Sequence, residues 1–517
     1  MDFEAFDCYT CFGQIVDDPI GRCPDREAII FGDWRITYGQ FGRMICQTAH
    51  YLESLGIKKG DPVAIISRNC PECLIAEFAI YKMGAVTVKI NWRLTPEEMA
   101  YMLDLNGVLC AFYKPEKPEW AQELKERYAG KIRFIDIDAT DAAPAMRDVI
   151  AAMPDGPVIA DVRLEDEACH LHTSGTTGHP KCVVQTHGAM LGELRSALSV
   201  YSYPDGQRYQ YISQLFHTAA IGAHLSLSTG GSMVLMPQFV LETYMRSLVE
   251  EKINAISVVP TILKWILDEM DRNHYDLSNL HTVNYSTCPI PPVLLDRAIE
   301  KLDCRFYQSY GMTEMDSIVT LLAPDDHFSD GGAHRDSVGR PIPGAAVKII
   351  GEDGKECETG VPGEIYVKGP GRMKGYYKQP ELTEACFKDG WYRTKDMGYL
   401  DKDGFLTLCG RQDDLIISGG ENIYPGEVCN VIMRLCDDIA EVAVYGVPDE
   451  TWGEHVKASV VLMPGSQLTP EALKQYCRAN MPSFRAPKEI EFLSELPKNA
   501  TGKVLISELK NRSKQQA

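Results

Sequence analysis

Apolar residues recur along the first 400 residues in a way that predicts short strands separated by amphipathic helices. The runs 62–67, 85–90 and 255–259 are rich in valine, isoleucine and alanine, which is typical of buried strands. The stretches 73–83 and 242–252 have apolar residues at helical spacing. Strands that alternate with helices predict an α/β fold of mostly parallel sheets covered by helices on both sides.

The pattern changes twice towards the C-terminus. Glycine and proline become dense between Gly339 and Gly375, which predicts short strands in a small antiparallel or barrel-like unit. After Arg411 two apolar runs, 441–447 and 456–462, predict a small separate sheet with helices. We therefore expect a large N-terminal domain, residues 1–412, and a small α+β C-terminal domain, residues 413–517.

Composition limits the classes of function. A chain of 517 residues is too long for one hydrophobic core. Its formal net charge of −20 makes it a poor general binder of nucleic acid or anionic membranes. We expect no integral membrane segment, because no apolar run is long enough to span a bilayer, and the acidic start does not resemble a signal peptide. The expected location is the cytoplasm.

The 17 cysteines are expected to be reduced in that compartment. Two CxxC pairs, Cys8/Cys11 and Cys70/Cys73, make a structural zinc site conceivable. The pairs are far apart in sequence and Cys73 begins an apolar helical stretch, so this site is disfavoured.

The stretch Thr173-Ser-Gly-Thr-Thr-Gly-His-Pro-Lys181 is the most informative segment. Its glycines allow backbone N–H groups to approach phosphate oxygens, its hydroxyl groups add donors, and Lys181 adds a positive charge. It is not a Walker loop, because the GxxxxGK[ST] spacing is absent. Apolar residues on both sides predict flanking strands that would fix the loop, so a phosphate-binding role is favoured over a flexible turn. The residues predicted to bind nucleotide phosphates are Thr173, Ser174, Gly175, Thr176, Thr177, Gly178 and Lys181.

This loop resembles the signature of the acyl-adenylate-forming superfamily, which includes acyl-CoA synthetases, luciferases and peptide-synthetase adenylation domains. Other segments match in the family's order over nearly the whole chain. The segment 308–314 resembles the family's YGxTE motif, and the resemblance implies that it contacts the nucleotide and that Glu314 holds Mg²⁺. The nucleotide residues predicted here are Gln308, Ser309, Tyr310, Gly311, Met312 and Thr313.

Three further segments complete the implied nucleotide site. Asp396, in Thr394-Lys-Asp396, matches the family carboxylate that accepts hydrogen bonds from the ribose, although Lys395 stands where glycine is usual. Arg411 matches the residue that contacts ribose and phosphate. Lys503, in Pro497-Lys-Asn-Ala-Thr-Gly-Lys503, resembles the family lysine that bridges the substrate carboxylate and the α-phosphate.

The C-terminal segments imply a site for coenzyme A. Ser418, Gly419 and Gly420 suit the close approach of a pantetheine arm, and Trp452 matches a tryptophan of the family's CoA ligases. A half-buried structural tryptophan is the alternative for that residue. Asp413 matches the family's hinge position, which implies a mobile C-terminal domain that rotates between the two half-reactions.

The acyl pocket is the segment least defined by sequence. The resemblance places its wall at 216–222, where His217 would lie near the substrate carboxylate, and at 285–289. Ser286, Thr287 and Cys288 are also expected at the nucleotide, where the family often has small glycine-rich residues. Their larger side chains should narrow the channel or add hydroxyl partners. Very long unsubstituted acids are therefore expected to be poor substrates.

The expected function is ATP-dependent ligation of a carboxylic acid to coenzyme A through an acyl-adenylate. The implied catalytic residues are Thr173, Lys181, His217, Glu314 and Lys503. The implied partners are the acid, ATP, coenzyme A and Mg²⁺; a short or medium-chain, aromatic or carnitine-like acid is favoured. The alternatives are transfer to a carrier protein or an amine, a light-emitting or oxidising relative, and a non-enzymatic nucleotide-binding protein. The oligomeric state is open, with a homodimer among the options.

Overall fold

The fold is described from a computed structural model. It describes residues 6, 8–114, 116–140, 143–173, 180–287, 290–418, 421–435, 438–449, 451–463, 465–498 and 504–516. The α-helices within these ranges are α1 Asp17–Arg22, α2 Tyr38–Ser54, α3 Pro71–Lys82, α4 Pro96–Asn106, α5 Pro118–Arg127, α6 Met146–Ile150, α7 His187–Val200, α8 Ile221–Ser228, α9 Leu241–Glu250, α10 Pro260–Arg272, α11 Pro292–Lys301, α12 Pro380–Cys386, α13 Pro425–Leu435, α14 Pro470–Asn480 and α15 Ile506–Gln516.

The strands form four sheets. A nine-stranded sheet contains β1 Glu27–Phe31, β2 Trp34–Thr37, β9 Arg208–Tyr211, β10 Ser232–Leu235, β11 Ala255–Val258, β12 Thr282–Ser286, β13 Arg305–Tyr310, β14 Thr320–Leu322 and β15 Arg340–Pro341. A seven-stranded sheet contains β3 Pro62–Ile66, β4 Val86–Lys89, β5 Cys110–Tyr113, β6 Arg133–Asp136, β7 Glu167–Thr173, β8 Lys181–Thr186 and β18 Gly375–Tyr376.

Two five-stranded sheets follow. One contains β16 Ala346–Ile350, β17 Gly363–Lys368, β19 Phe387–Lys388, β20 Trp391–Leu400 and β21 Leu406–Arg411, all antiparallel. The other contains β22 Ile416–Ser418, β23 Glu421–Ile423, β24 Ile439–Asp449, β25 Gly453–Leu462 and β26 Glu489–Phe492. The first of these confirms the small antiparallel unit expected from the glycine- and proline-rich sequence.

Most strand pairs inside the two large sheets are parallel, as the sequence predicts, whereas β13 with β14 and β7 with β8 are antiparallel. In the nine-stranded sheet the order is β15-β14-β13-β12-β11-β9-β10-β1-β2, and the pairs from β13 to β1 run parallel. Parallel strands are covered on both faces, which explains their nearly continuous apolar runs. The carboxyl ends of β9, β11, β12 and β13 consequently meet along one edge, where ligands bind in open α/β sheets.

Most predicted elements are confirmed with small shifts at their ends. The run 62–67 forms β3, the run 255–259 forms β11, and the stretch 242–252 forms α9. The helix expected from Cys73 begins earlier, at Pro71, because proline is well accommodated in the first turn of a helix. Among the described helices, none is long and apolar enough to cross a membrane.

The last sheet lies after the position proposed as a domain boundary. The strand β21 ends at Arg411, a short 3-10 turn covers Gln412–Asp414, and β22 begins at Ile416. Val456, Ala458 and Val460 of β25 pack in their own buried cluster with α13 and α14. Division of the chain at 412/413 remains a prediction that this arrangement favours.

The cysteine pairs do not form a shared metal site. The Cys11 thiol donates a hydrogen bond to the carbonyl of Tyr81 near the C-terminal end of α3 (2.9 Å), whereas Cys70 and Cys73 lie at its N-terminal end, with their sulfurs 3.4 Å apart. Eight residues of helix separate Cys73 from Tyr81, which is about 12 Å. None of the described cysteines is in a disulfide.

Lys395 has an unusual backbone conformation for a lysine. Its φ is +62°, in the left-handed region, where a residue with a Cβ costs about 1–2 kcal/mol. The residue lies in β20, at the point where the pairing of β20 with β17 shifts register. This conformation explains why glycine is usual at the corresponding position of the resembling family.

Lys395→Gly is expected to raise the thermal midpoint by about 1–4 °C, because relief of strain exceeds the added chain entropy by about 0.5–1 kcal/mol. The contact of Lys395 with Asp413 (3.7 Å) is more than half exposed and contributes little. Differential scanning calorimetry would measure the shift. Lys388→Gly, in a strand with ordinary φ, is the matched control and should lower the midpoint. A lower midpoint for Lys395→Gly would contradict the prediction.

Candidate active site

The carboxyl ends of β12 and β13 bring two predicted nucleotide segments together. These strands are parallel, with Tyr285 opposite Gln308 and Ser286 opposite Ser309. Thr287, the next residue after β12, has a φ of +82° and turns the chain out of the sheet. Two predicted segments that are about twenty residues apart in sequence therefore form one edge.

Asp396 is held between Tyr310 and Arg411. The Tyr310 hydroxyl donates a hydrogen bond to Asp396 Oδ2 (2.7 Å), and Arg411 Nε lies 3.1 Å from Asp396 Oδ1. Asp396 and Arg411 are opposite each other in the β20–β21 pair, so the antiparallel register sets their contact. Burial and the Asp396 charge raise the pKa of Tyr310 well above its usual value, so the phenol stays protonated as a donor. Three of the residues predicted to bind the nucleotide are therefore in direct contact.

Tyr376 contacts both Lys181 and Glu314. Lys181 Nζ lies 5.2 Å from the centre of the Tyr376 ring, and the Tyr376 hydroxyl donates to Glu314 Oε1 (2.7 Å). The Tyr376 hydroxyl is also 3.3 Å from that of Tyr392. Tyr376 reaches this position because β18 pairs with β8, the strand that begins at Lys181. One tyrosine thus links the predicted phosphate lysine with the predicted metal carboxylate.

Backbone contacts fix the turn that carries Glu314. The Gln185 amide donates to the carbonyl of Thr313 (3.0 Å), and the Met373 N–H donates to the carbonyl of Glu314 (2.9 Å). Gly311 has no space for a side chain, because a Cβ there would be 1.6 Å from the Ser317 carbonyl oxygen. These contacts explain the requirement for glycine at this position and keep the Glu314 backbone in place.

Glu314 has the chemistry that a hard divalent cation requires. Among the described residues, no lysine, arginine or histidine forms an ion pair with it, and the Tyr376 hydroxyl donates a hydrogen bond to its Oε1. Mg²⁺ prefers oxygen ligands and usually binds through one or two carboxylates together with substrate phosphates. The residues around Glu314 therefore fit a magnesium ion that arrives with a nucleotide.

His217 lies in an apolar and cationic environment. Its Nε2 is buried and has no hydrogen-bond partner among the residues that the structure describes, and its ring is 4.3 Å from that of Phe216. Burial, and then the positive charges of Arg93 and Lys89, lower the pKa of His217 to about 4. The imidazole is therefore neutral near pH 7 and has one ring nitrogen available to a ligand.

Ser418 and Trp452 lie at one end of the last sheet. Ser418 is opposite Gly453, the residue after Trp452, so the two predicted coenzyme A residues are neighbours. The Trp452 side chain is half exposed, and Lys488 Nζ lies 5.0 Å from its ring. An exposed tryptophan beside a lysine can bind a flat or anionic ligand. Asp413, the predicted hinge residue, faces Lys395.

Several predicted residues lie outside the described part of the chain, so their positions stay predictions. They are Ser174, Gly175, Thr176, Thr177, Gly178, Cys288, Gly419, Gly420 and Lys503. The residues that flank the phosphate loop are described: Thr173 ends β7 and is opposite Lys181, which begins β8. The predicted strands on both sides of that loop are therefore confirmed.

Two site residues were not predicted from sequence. Tyr376 has no motif that connects it with Lys181 or Glu314, because the contact depends on a strand pairing across about 190 residues. Glu193 in α7 is completely buried and accepts a hydrogen bond from the Ile318 N–H (2.6 Å), just after the Glu314 turn. A buried glutamate in a helix has no sequence pattern that would distinguish it from an exposed one.

Known proteins match this chain along most of its length. The family model described as AMP-binding enzyme matches residues 16–377, and that described as AMP-binding enzyme C-terminal domain matches residues 430–503. A 2-succinylbenzoate–CoA ligase from Bacillus licheniformis is 35% identical and covers 94% of this chain and 97% of its own length. A fatty acid–[acyl-carrier-protein] ligase from Streptomyces coeruleorubidus is 33% identical, covering 95% of this chain and 94% of its own.

A solved structure has the same fold. The o-succinylbenzoate CoA synthetase from Bacillus subtilis, in complex with its acyl-adenylate intermediate, superposes with a TM-score of 0.82 at 30% identity. The match covers 96% of this chain and 98% of that one. The chain therefore belongs to the AMP-binding enzyme family and is an AMP-forming acid–thiol ligase.

Proposed function

We propose that this enzyme activates a carboxylic acid with MgATP and transfers the acyl group to coenzyme A. In the first half-reaction a carboxylate oxygen attacks the α-phosphorus, the bond to pyrophosphate breaks, and an acyl-adenylate forms. In the second, the coenzyme A thiol attacks the acyl carbon, loses its proton, and AMP leaves with the electrons of the broken C–O bond. The products are an acyl thioester and AMP.

The observation that carries the proposal is the arrangement around the segment 308–314. Tyr310 contacts Asp396 at one end of the segment, and Glu314 contacts Tyr376 at the other, near Lys181. This spacing suits a nucleotide whose ribose hydroxyls bond Asp396 and whose phosphates approach Lys181. Charged and polar residues placed in this way stabilise the transition state of an attack on phosphorus mainly by electrostatics and by positioning the reacting groups.

Each residue has a defined part in the proposed site. Asp396 would orient the ribose, with Tyr310 and Arg411 fixing its carboxylate. Lys181 would neutralise phosphate charge. Mg²⁺ bound by Glu314 would supply further neutralisation of the triphosphate. Neutral His217 would contact the acid without competing with Lys503 as a cation.

Trp452 and Lys488 favour coenzyme A as the acceptor of the acyl group. An exposed indole beside an ammonium group suits the adenine or the phosphates of coenzyme A. A second candidate acceptor is a carrier protein, because one of the relatives carries that name. The proposed site uses the same adenylation chemistry for both acceptors.

The test is pyrophosphate release by the purified enzyme over a panel of acids, each with and without coenzyme A. Acid-dependent release with a thioester product supports the proposal. Acid-dependent release without thioester moves the acceptor to a carrier protein or an amine. Release without acid, or no release with any acid, contradicts the proposed function.

The same panel tests the expectation about chain length. We expect kcat/KM for palmitate to be lower than for C4–C8 or aromatic acids. The side chains of Ser286 and Thr287 should narrow the acyl channel at the nucleotide edge, where smaller residues would leave it wider. An apolar pocket gains or loses about 10–200-fold for each methylene that it fits or rejects. A higher value for palmitate would contradict this expectation.

A further inference from the structure

One face of the nine-stranded sheet carries a row of polar side chains. Tyr209 lies in β9, Ser257 in β11, Asn284 in β12 and Tyr307 in β13. The parallel register places Ser257 opposite Asn284 and Asn284 opposite Tyr307. Because side chains alternate along a strand, these residues project to the same face.

The other face of the same strands is apolar. Ile256, Val283 and Phe306 project there and pack in a buried cluster with residues of α9, α10 and α11. The polar row therefore faces the opposite way, towards α8. The position of Gly222 in α8 confirms this, because a Cβ on that glycine would be 2.8 Å from the Tyr209 hydroxyl.

The row lies beside the segment that carries His217. Gly222 is five residues after His217, and Ala219 between them is exposed. Ser257 is only half-buried, although both of its strand neighbours, Ile256 and Val258, are buried. A small side chain in the middle of a wide sheet is accessible only where the layer above it is open, so an opening lies above the row.

The hydrogen-bonding capacity of the row is incomplete. Asn284 is 8% exposed, and its Oδ1 is buried without a hydrogen-bond partner among the described residues. The Tyr211 hydroxyl, two residues after Tyr209 on the same face, is buried and likewise has no partner in the described part of the chain. Burial raises the pKa of Tyr209 to about 12, although hydrogen bonds with Ser257, Tyr203 and Asn284 oppose that shift. Buried acceptors are normally satisfied, so an unpaired Asn284 Oδ1 points to a ligand that supplies a donor.

The distance between the polar row and the nucleotide edge suits the end of the acid that is remote from its reacting carboxylate. Asn284 is two residues before Ser286 on the same face of β12, and Ser286 lies at the proposed nucleotide edge. Two residues of strand span about 7 Å. An acid whose carboxylate is activated at that edge would bring a group about this far along its chain to Asn284. No residue of the row is cationic, so the row itself supplies no counter-charge for a second carboxylate.

We propose that the substrate is a hydroxylated carboxylic acid, and that Asn284 Oδ1 accepts a hydrogen bond from its distal hydroxyl. This inference rests on the proposed function, because it assumes that the acid is activated at the Ser286 edge. Asn284 is then a specificity-determining residue. A site built to bond a hydroxyl rejects the analogue that lacks it, because its buried acceptor is left unpaired.

The test compares acids that differ only in the hydroxyl. The pairs are 3-(4-hydroxyphenyl)propanoate with 3-phenylpropanoate, and 6-hydroxyhexanoate with hexanoate, assayed by pyrophosphate release. In the wild-type enzyme we expect kcat/KM to favour the hydroxylated member of at least one pair by about 10–100-fold. Asn284→Leu should reduce that ratio to about 1 while kcat/KM for the plain acid changes only a few-fold.

Two variants keep the test interpretable. Asn284→Ala removes the acceptor without adding volume, for use if the leucine variant does not fold. Gln210→Met removes a buried amide from the opposite face of β9, which β11 separates from β12, and should leave the ratio unchanged. The ratio is independent of the fraction of folded enzyme.

Three outcomes would overturn the inference. They are equal kcat/KM within both pairs, a preference that persists in both Asn284 variants, and a stronger preference for the matching dicarboxylate. In each case acid-dependent pyrophosphate release would leave the proposed function intact. Absence of release with every acid would instead overturn the proposed function, and the inference with it.

Discussion

Lys503→Ala is expected to slow acyl-adenylate formation by about 10²–10³-fold, the range for removing one donor that stabilises developing charge. The lysine would lie between the attacking carboxylate and the α-phosphate, where negative charge accumulates as the bond to pyrophosphate breaks. Thioester formation from supplied acyl-adenylate and coenzyme A should change only a few-fold, because that step does not involve the triphosphate. The measurement is each half-reaction separately, by pyrophosphate release and by thioester formation.

Lys498→Ala is the matched control for Lys503. Lys498 lies five residues earlier, opposite Val504, and forms an ion pair with Glu441 (2.7 Å). Its loss removes the same charge from the same segment and costs about 1 kcal/mol or less of stability, so both half-reactions should stay within a few-fold of wild type. Equal slowing of both half-reactions by Lys503→Ala would indicate a structural role and contradict the prediction.

Glu314→Gln should reduce adenylation by about 10²-fold or more and raise the Mg²⁺ concentration needed for half-maximal rate. The amide can still accept the hydrogen bond from Tyr376, but it lacks the charge that a hard cation requires. The variant therefore separates binding of the metal from support of the turn. Pyrophosphate release measured over a Mg²⁺ series at saturating ATP tests this expectation.

Tyr376→Phe provides the opposite change. It removes the hydroxyl that donates to Glu314 but keeps the ring near Lys181 and the carboxylate charge. We expect a loss of a few-fold with little change in the Mg²⁺ dependence. If Glu314→Gln had the same Mg²⁺ dependence as wild type, Glu314 would not be the metal carboxylate.

Sequence patterns predicted the fold class because parallel, fully covered strands have continuous apolar runs. The runs that form β3 and β11 are clear for that reason. The helix α3 differs from the expected one only at its start, because proline is accommodated in the first turn of a helix and α3 therefore begins at Pro71. The order and register of the strands were not accessible in the same way. Which strand pairs with which depends on contacts between distant segments, and β18 on the edge of β8 illustrates this.

The nucleotide residues were predictable because each lies in a short motif with its own chemistry. Tyr310, Asp396 and Arg411 were assigned one by one, and their mutual contacts appear only when β13, β20 and β21 are folded. Tyr376 and Glu193 were missed because their roles depend entirely on tertiary placement. The polar row with Asn284 was missed for the same reason: one polar residue in a buried strand is unremarkable until its neighbours on adjacent strands are known.

The pairing of β18 with β8 also has a consequence for synthesis of the chain on the ribosome. The strand β8 ends at Thr186, and its partner is complete only at Tyr376, about 190 residues later. At about 5–20 residues per second, β8 remains an open edge of the nascent sheet for roughly 10–40 s. Its sequence Lys-Cys-Val-Val-Gln-Thr is mostly uncharged, and such an exposed edge can pair with another chain. The yield of folded enzyme should therefore depend more on the time between synthesis of Thr186 and synthesis of Tyr376 than on the stability of the finished sheet.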